Sequence, residues 1–156
     1  VVYWRIKARL GYAVARRLLR WPALVKQPRV WAWMEGQFAR MAALDDVAAQ
    51  SFYGHLLVFR GRGFGAREEG IRLLSKAAAA GDAKSAYQLG VLSLAGDTRN
   101  APDGIVTARW WTIAADAGHP LAARRLAELY AQGEHGLAAD PQLAERYAHR
   151  ATELGL

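Results

Sequence analysis

Three short runs recur along the chain at one interval: Ala77–Gly81 (AAAAG), Ala114–Gly118 (AADAG) and Ala151–Gly155 (ATELG). Their glycines stand 37 residues apart in both intervals. A period of roughly twenty to fifty residues marks a solenoid or array, because a unit that short cannot bury its own apolar face and must stack on its neighbours. The register extends beyond the glycines. It aligns Ala86 with Ala123, Leu89 with Leu126, Gly90 with Ala127, Gly96 with Gly133 and Asp103 with Asp140.

The units read as helix pairs. Ala, Leu, Arg and Glu dominate and β-branched residues are few, which favours helix over strand. Gly70, Leu73, Leu74, Ala77 and Ala78 fall on one face of a helix over about 66–80. Ala86, Leu89, Gly90 and Ser93 do so over 83–95. Gly81-Asp82 reads as a helix stop followed by an N-cap, Asp103 as a second cap, and Asp140-Pro141 as a cap with Pro in the first turn. Upstream, Asp45-Asp46 offers caps for a helix from Val47 to about Phe59. The expected fold is all-α, an α-solenoid of antiparallel helix pairs with about eight helices. Small residues (Ala77, Ala114 and Ala151 against Gly90 and Ala127) are expected at the helix crossings.

The first third breaks the pattern. Residues 1–44 carry nine Lys and Arg against one acidic residue, Glu35, whereas the rest of the chain is nearly balanced. Trp4, Trp21, Trp31 and Trp33 also lie there. Residues 2–20 read as an amphipathic helix with Tyr3, Ile6, Leu10, Val14, Leu18 and Trp21 at helical spacing and arginines on another side. Trp21-Pro22 ends it, and Pro28 opens a second helix to about Ala43. Three roles fit this segment: a basic cap over the open end of the solenoid, an anionic membrane surface contact, and, ranked below those two, a nucleic-acid contact. Within this sequence there is neither a signal-peptide pattern nor an uncharged span of membrane length, so a cytoplasmic location is expected, with a membrane-peripheral one as the alternative. The first residue is Val1, which leaves open both a processed start and a missing upstream segment.

The order A-x-x-L-G-x-L in Ala86–Leu92, followed by a Gly loop, Asp103, the Trp110-Trp111 pair and the AAxxG run, resembles the Sel1-like repeat family, helical repeats related to the tetratricopeptide class. The match spans about residues 66–156, with a divergent unit from about 45 in which Tyr53-Gly54 stands for Leu-Gly. Ala127 in place of Gly and Ser93 in place of an aromatic depart from the family pattern, and residues 1–44 match no repeat. The resemblance implies a right-handed superhelix and a non-enzymatic scaffold or adaptor that binds a protein or peptide on its concave wall. Carried over position by position, that wall includes His55, Lys84, Tyr87, Val91, Leu121, Arg124 and Glu128. For any one of them, ordinary solvated surface is the competing reading.

Residue constellations for catalysis are weak. Gly61, Gly63 and Ala66 fit G-x-G-x-x-[GA], and Asp82 lies about twenty residues on, as a dinucleotide site requires. The alanine-rich stretch before Asp82 is helical in character, however, and a turn between helices explains the glycines. His55, His119, His135 and His149 lack metal-ligand spacing, and no serine lies in a nucleophile elbow. There is no cysteine, so the cysteine-rich pattern of those relatives with β-lactam hydrolase activity is missing. No cofactor and no metal are expected.

Overall fold

The computed structural model describes residues 2–156. Among the described residues there are nine helices and no strand. They are α1 (Val2–Leu18), α2 (Pro22–Val25), α3 (Pro28–Ala43), α4 (Val47–Arg60), α5 (Ala66–Ala79), α6 (Ala83–Ala95), α7 (Gly104–Asp116), α8 (Pro120–Gln132) and α9 (Pro141–Glu153). The eight long helices are those expected, and the ninth, α2, is a single turn. It exists because Trp21, kept out of the helical region before Pro22 (φ −113°, ψ 88°), stops α1 and lets the ring of Pro22 start a new turn.

Each helix boundary has a local cause. Asp46, Asp82 and Asp103 accept hydrogen bonds from the amides of Ala49, Ser85 and Val106 at 2.8, 2.9 and 2.9 Å. Asp140 caps α9 through the amides of Gln142 and Leu143. Gly81, Gly118 and Gly155 all take positive φ after a helix end. At each, the second amide of the turn bonds back to the first alanine of the run: Asp82 N–H to the Ala77 carbonyl, His119 to Ala114 and Leu156 to Ala151, at 3.0, 2.9 and 3.0 Å. This is the 6→1 bond of a Schellman turn, repeated three times. The run 61–66 is likewise a turn, with Gly63 and Gly65 at positive φ. Leu56–Phe59 before it belongs to α4, not to a strand, which removes the dinucleotide reading.

The helices pair antiparallel as α4/α5, α6/α7 and α8/α9, and α5 and α7 pass each pair to the next. A continuous core of Leu74, Leu89, Trp111, Leu126 and Tyr147 with intervening alanines runs through the pairs. Of the small residues expected at the crossings, Ala77, Ala114, Ala127 and Ala151 are buried, and the contact of Gly90 differs from the expectation. In the first pair Gly54 and Gly70 face each other, so that a Cβ on either would meet the other's carbonyl oxygen at 3.0 or 2.9 Å. In the second, Gly90 faces the indole of Trp111 rather than an alanine.

The α1 helix departs most from expectation. Its buried residues are Ala8 and Ala15, with Gly11 against Gln37 of α3 and Tyr12 beside Phe38 and Phe52. The stripe of large apolar residues points outward: Tyr3, Ile6, Leu10 and Val14 are 70, 52, 63 and 50% exposed. Small residues win the inner face because they allow α1 to approach α3 closely. Trp31, Met34 and Phe38 of α3 then fill the space between α1 and Leu56 of α4.

Candidate functional site

The residues carried over from the repeat pattern lie on the first helix of each pair. Lys84, Tyr87 and Val91 are spaced by three and four on α6, and Leu121, Arg124 and Glu128 are their counterparts 37 residues on along α8. These spacings put each trio on one helix face. His55 is alone on α4, which lies against α6. Lys84, Leu121, Arg124 and Glu128 are exposed, while His55, Tyr87 and Val91 are half-buried. Among the described residues, Lys84, Arg124 and Glu128 have no oppositely charged partner within 4.0 Å.

Two of these side chains are fixed by their surroundings. The Tyr87 ring stacks on His119 at 4.4 Å between centroids, with 14° between planes, and lies near-parallel to Trp111, with 6.2 Å between centroids. Trp111 also donates its indole N–H to the Tyr87 carbonyl at 3.1 Å. His119 is itself the N-cap of α8, its Nδ1 accepting from the Ala122 amide at 3.2 Å. Burial and the nearby Lys84 ammonium hold its pKa below the usual imidazole value. The ring is therefore neutral and acts as an acceptor. The His55 Nδ1–H donates to the Ser51 carbonyl at 2.7 Å, which orients that ring as well.

Beneath His55 lies a polar knot. The Oδ2 of Asp82 accepts from the Ser51 hydroxyl at 2.8 Å, the Ser85 hydroxyl at 2.6 Å and the Ser85 amide at 2.9 Å. Burial raises the Asp82 pKa, but the Ser85 and Ser51 hydroxyls, the Ser85 amide and nearby His55 outweigh it and leave the pKa lowered. Ser85 is wholly buried. A carboxylate that accepts from both hydroxyls while capping a helix ties α4 to α6, and the geometry is that of a structural cap. Among the described residues, no group of three or more His, Asp or Glu could hold a metal ion. No described helix is long and apolar enough to cross a membrane.

Two recesses were not anticipated from the sequence. One, of about 640 Å³, lies between α5, α6, α7 and the loop 96–103, with Ile71, Leu92, Val106 and Trp110 among its apolar lining and Arg67 and Arg99 among its charges. The other, of about 400 Å³, is lined by Arg16, Arg17 and Arg20 together with Tyr12 and Phe52. Neither includes a residue of the carried-over wall. The arginines themselves were legible as a basic run, but not the fact that Phe52, from another helix, gives them an aromatic floor.

Stacked antiparallel pairs with a periodic wall of surface side chains define a helical-repeat protein of the α-solenoid class. The chain belongs to the Sel1 repeat family, whose model, described as the Sel1 repeat, matches residues 47–82, 83–119 and 120–156. Sel1 repeats generally mediate protein–protein interaction. Among solved structures, the chain is similar to a protective antigen of uropathogenic Escherichia coli that displays an SLR fold, with 21% identity, a TM-score of 0.66, and coverage of 79% of this chain and 26% of that one. It is also similar to a Sel1 repeat protein from Oxalobacter formigenes, with 25% identity, a TM-score of 0.63, and coverage of 76% and 88%. The chain thus spans about a quarter of the length of the first and most of the second. No curated protein matches it.

Proposed function

We propose that this chain is a non-enzymatic interaction scaffold that binds a protein or peptide along the wall formed by α4, α6 and α8. The observation that carries this reading is the ordered ring of Tyr87. It stacks on His119 and lies parallel to Trp111, and Lys84, Arg124 and Glu128, without oppositely charged partners among the described residues, belong to the same wall. A pre-ordered aromatic loses little conformational entropy on binding, and aromatic and arginine side chains carry most of the energy at protein interfaces. The mix of one acidic and two basic groups suits an extended segment carrying both signs of charge. In the same proposal, residues 1–44 form a cap: α3 covers the side of α4 that an earlier repeat would otherwise cover, and α1 covers α3.

Selection of binders from a random peptide library, followed by titration of the selected peptides, tests the assignment. Arg124→Glu combined with Glu128→Arg is expected to weaken binding by at least about tenfold, and Tyr87→Ala by about as much. If the selected peptides bind all three proteins equally, the wall is not the binding surface.

A further inference from the structure

The α1 helix carries apolar residues on two faces, and only one is used within the fold. The inner face, with Ala8, Gly11, Tyr12 and Ala15, packs on α3 and α4. At about 100° per residue, Tyr3, Ile6, Leu10 and Val14 fall within about 80° of each other on the opposite side. All four are half or more exposed. Arg5, Arg9 and Arg16 lie in a narrower arc along one edge of this stripe, within about 40°, and Lys7 lies on the other edge. Arg17 closes the stripe at its C-terminal end, and Trp21, 65% exposed, follows in the next turn.

Beside the arginine edge lies the recess of about 400 Å³ lined by Arg16, Arg17 and Arg20. The Arg16 guanidinium is held over the Phe52 ring at 4.9 Å and the Tyr12 ring at 5.8 Å. No acidic side chain lines the recess among the described residues. Asp46, the carboxylate that acts on Tyr12 from α4, is engaged as the cap of that helix.

We infer that the outer face of α1 docks this protein on an anionic lipid bilayer, with Ile6, Leu10 and Val14 entering the interface and the recess of Arg16, Arg17 and Arg20 receiving a lipid phosphate. An interfacial helix of this kind gains from apolar burial and from basic side chains at headgroup level together. Charge and apolarity select this occupant over the others. Nucleic acid satisfies the arginines but offers nothing to a row of Ile, Leu and Val side chains. A second copy would cover the stripe, but it brings the same nine-to-one excess of basic over acidic residues to the contact. The inference goes beyond the scaffold reading and is independent of it, because no residue of the wall takes part.

The test is co-sedimentation of the full chain with vesicles of phosphatidylglycerol and phosphatidylcholine in roughly equal parts, and with vesicles of phosphatidylcholine alone. Binding is expected to the first and to be weak or absent with the second. Ile6→Glu combined with Leu10→Glu, at exposed sites, is expected to cut binding at least about tenfold with the helical signal and melting temperature unchanged. Arg9→Gln and Arg20→Gln are expected to cost about fivefold each. Arg124→Glu with Glu128→Arg, which tests the wall, should leave vesicle binding as it was, so that the two readings fail separately. Equal binding to both vesicle types, or binding indifferent to the Ile6 and Leu10 changes, overturns the inference. So does a wild-type dimer in light scattering that Leu10→Glu dissociates, or duplex DNA binding that displaces vesicles and ignores those changes.

Discussion

Gly90 and Trp111 are matched across the α6/α7 pair so closely that a Cβ on Gly90 would overlap the indole Cδ1 and Nε1. Trp111 is 1% exposed and tethered by its N–H to Tyr87, so the ring has nowhere to retreat. Gly90→Ala is therefore expected to destabilise by about 1–3 kcal/mol even though alanine is the better helix former. Gly36, on an exposed turn of α3 with nothing within 4 Å of its missing Cβ, supplies the control. Gly36→Ala is expected to stabilise by about 0.5–1 kcal/mol. Urea titration of both variants checks the pair, and a shift of the same sign in both refutes the packing argument.

The two faces of α1 make an unusual prediction. Removing a large apolar group from the outer face, as in Leu10→Gln, should change stability by less than about 0.5 kcal/mol, because the side chain is 63% exposed. Enlarging a small residue on the inner face, as in Ala15→Leu, should cost about 1–3 kcal/mol, because Ala15 is fully buried against the cluster of Trp31, Met34 and Phe38. Thermal melts of the two variants check this. The reverse order would restore the arrangement expected from hydrophobicity alone.

That reversal shows what could and could not be read in the sequence. Helix ends were legible because each depends on one or two adjacent residues: Asp82 after Gly81, Asp103 after a polar loop, Pro141 after Asp140. The repeat was legible because it imposes the same packing every 37 residues. The buried face of α1 was not, since both faces are apolar and size rather than hydrophobicity decided between them. Nor was the stack of Tyr87 on His119 visible, for the two stand 32 positions apart, outside the period, and meet only because α6 and α8 belong to successive pairs. The wall positions themselves came from the family pattern. What the structure adds is which of them are held rigid.

The Asp82 knot should weigh more than an ordinary cap. Asp103→Ala removes one capping bond and is expected to cost about 1 kcal/mol. Asp82→Ala removes a cap and also strips the acceptor from two buried hydroxyls, for an expected cost of about 2–4 kcal/mol. Because the pKa of Asp82 is lowered on folding, its contribution is complete above the unfolded carboxylate pKa of about 4 and is lost as pH falls through the lower folded value. Denaturant titrations from about pH 5 down to about pH 2 should show a steeper acid loss, below about pH 4, in the wild type than in Asp82→Asn.

His119 gives a second pH signature, nearer neutrality. Its folded pKa lies below the unfolded value of about 6.5, so the unfolded chain binds more protons just below that pH. Stability is then complete above about pH 6.5 and falls as the solution is acidified toward the lower folded pKa, where the Nδ1 acceptor of the Ala122 amide is lost. His119→Asn keeps a cap acceptor without a titrating ring. It is expected to flatten the stability profile between about pH 5 and 7, as followed by melting temperature. An unaltered slope would place the titration elsewhere.

The three Schellman turns at Gly81, Gly118 and Gly155 close with the same backbone bonds, and their glycines have nothing within 4 Å of the missing Cβ. The joints therefore share one backbone form: the chain turns at Gly81 with the same bonds and the same sign of φ as at Gly118. A recombination event that drops or duplicates the segment between two such joints leaves no mismatched seam in the main chain. Only the side chains facing the new neighbour have to be reconciled. The length of this protein is thus a quantity that can change in whole units while the backbone geometry of each unit stays constant.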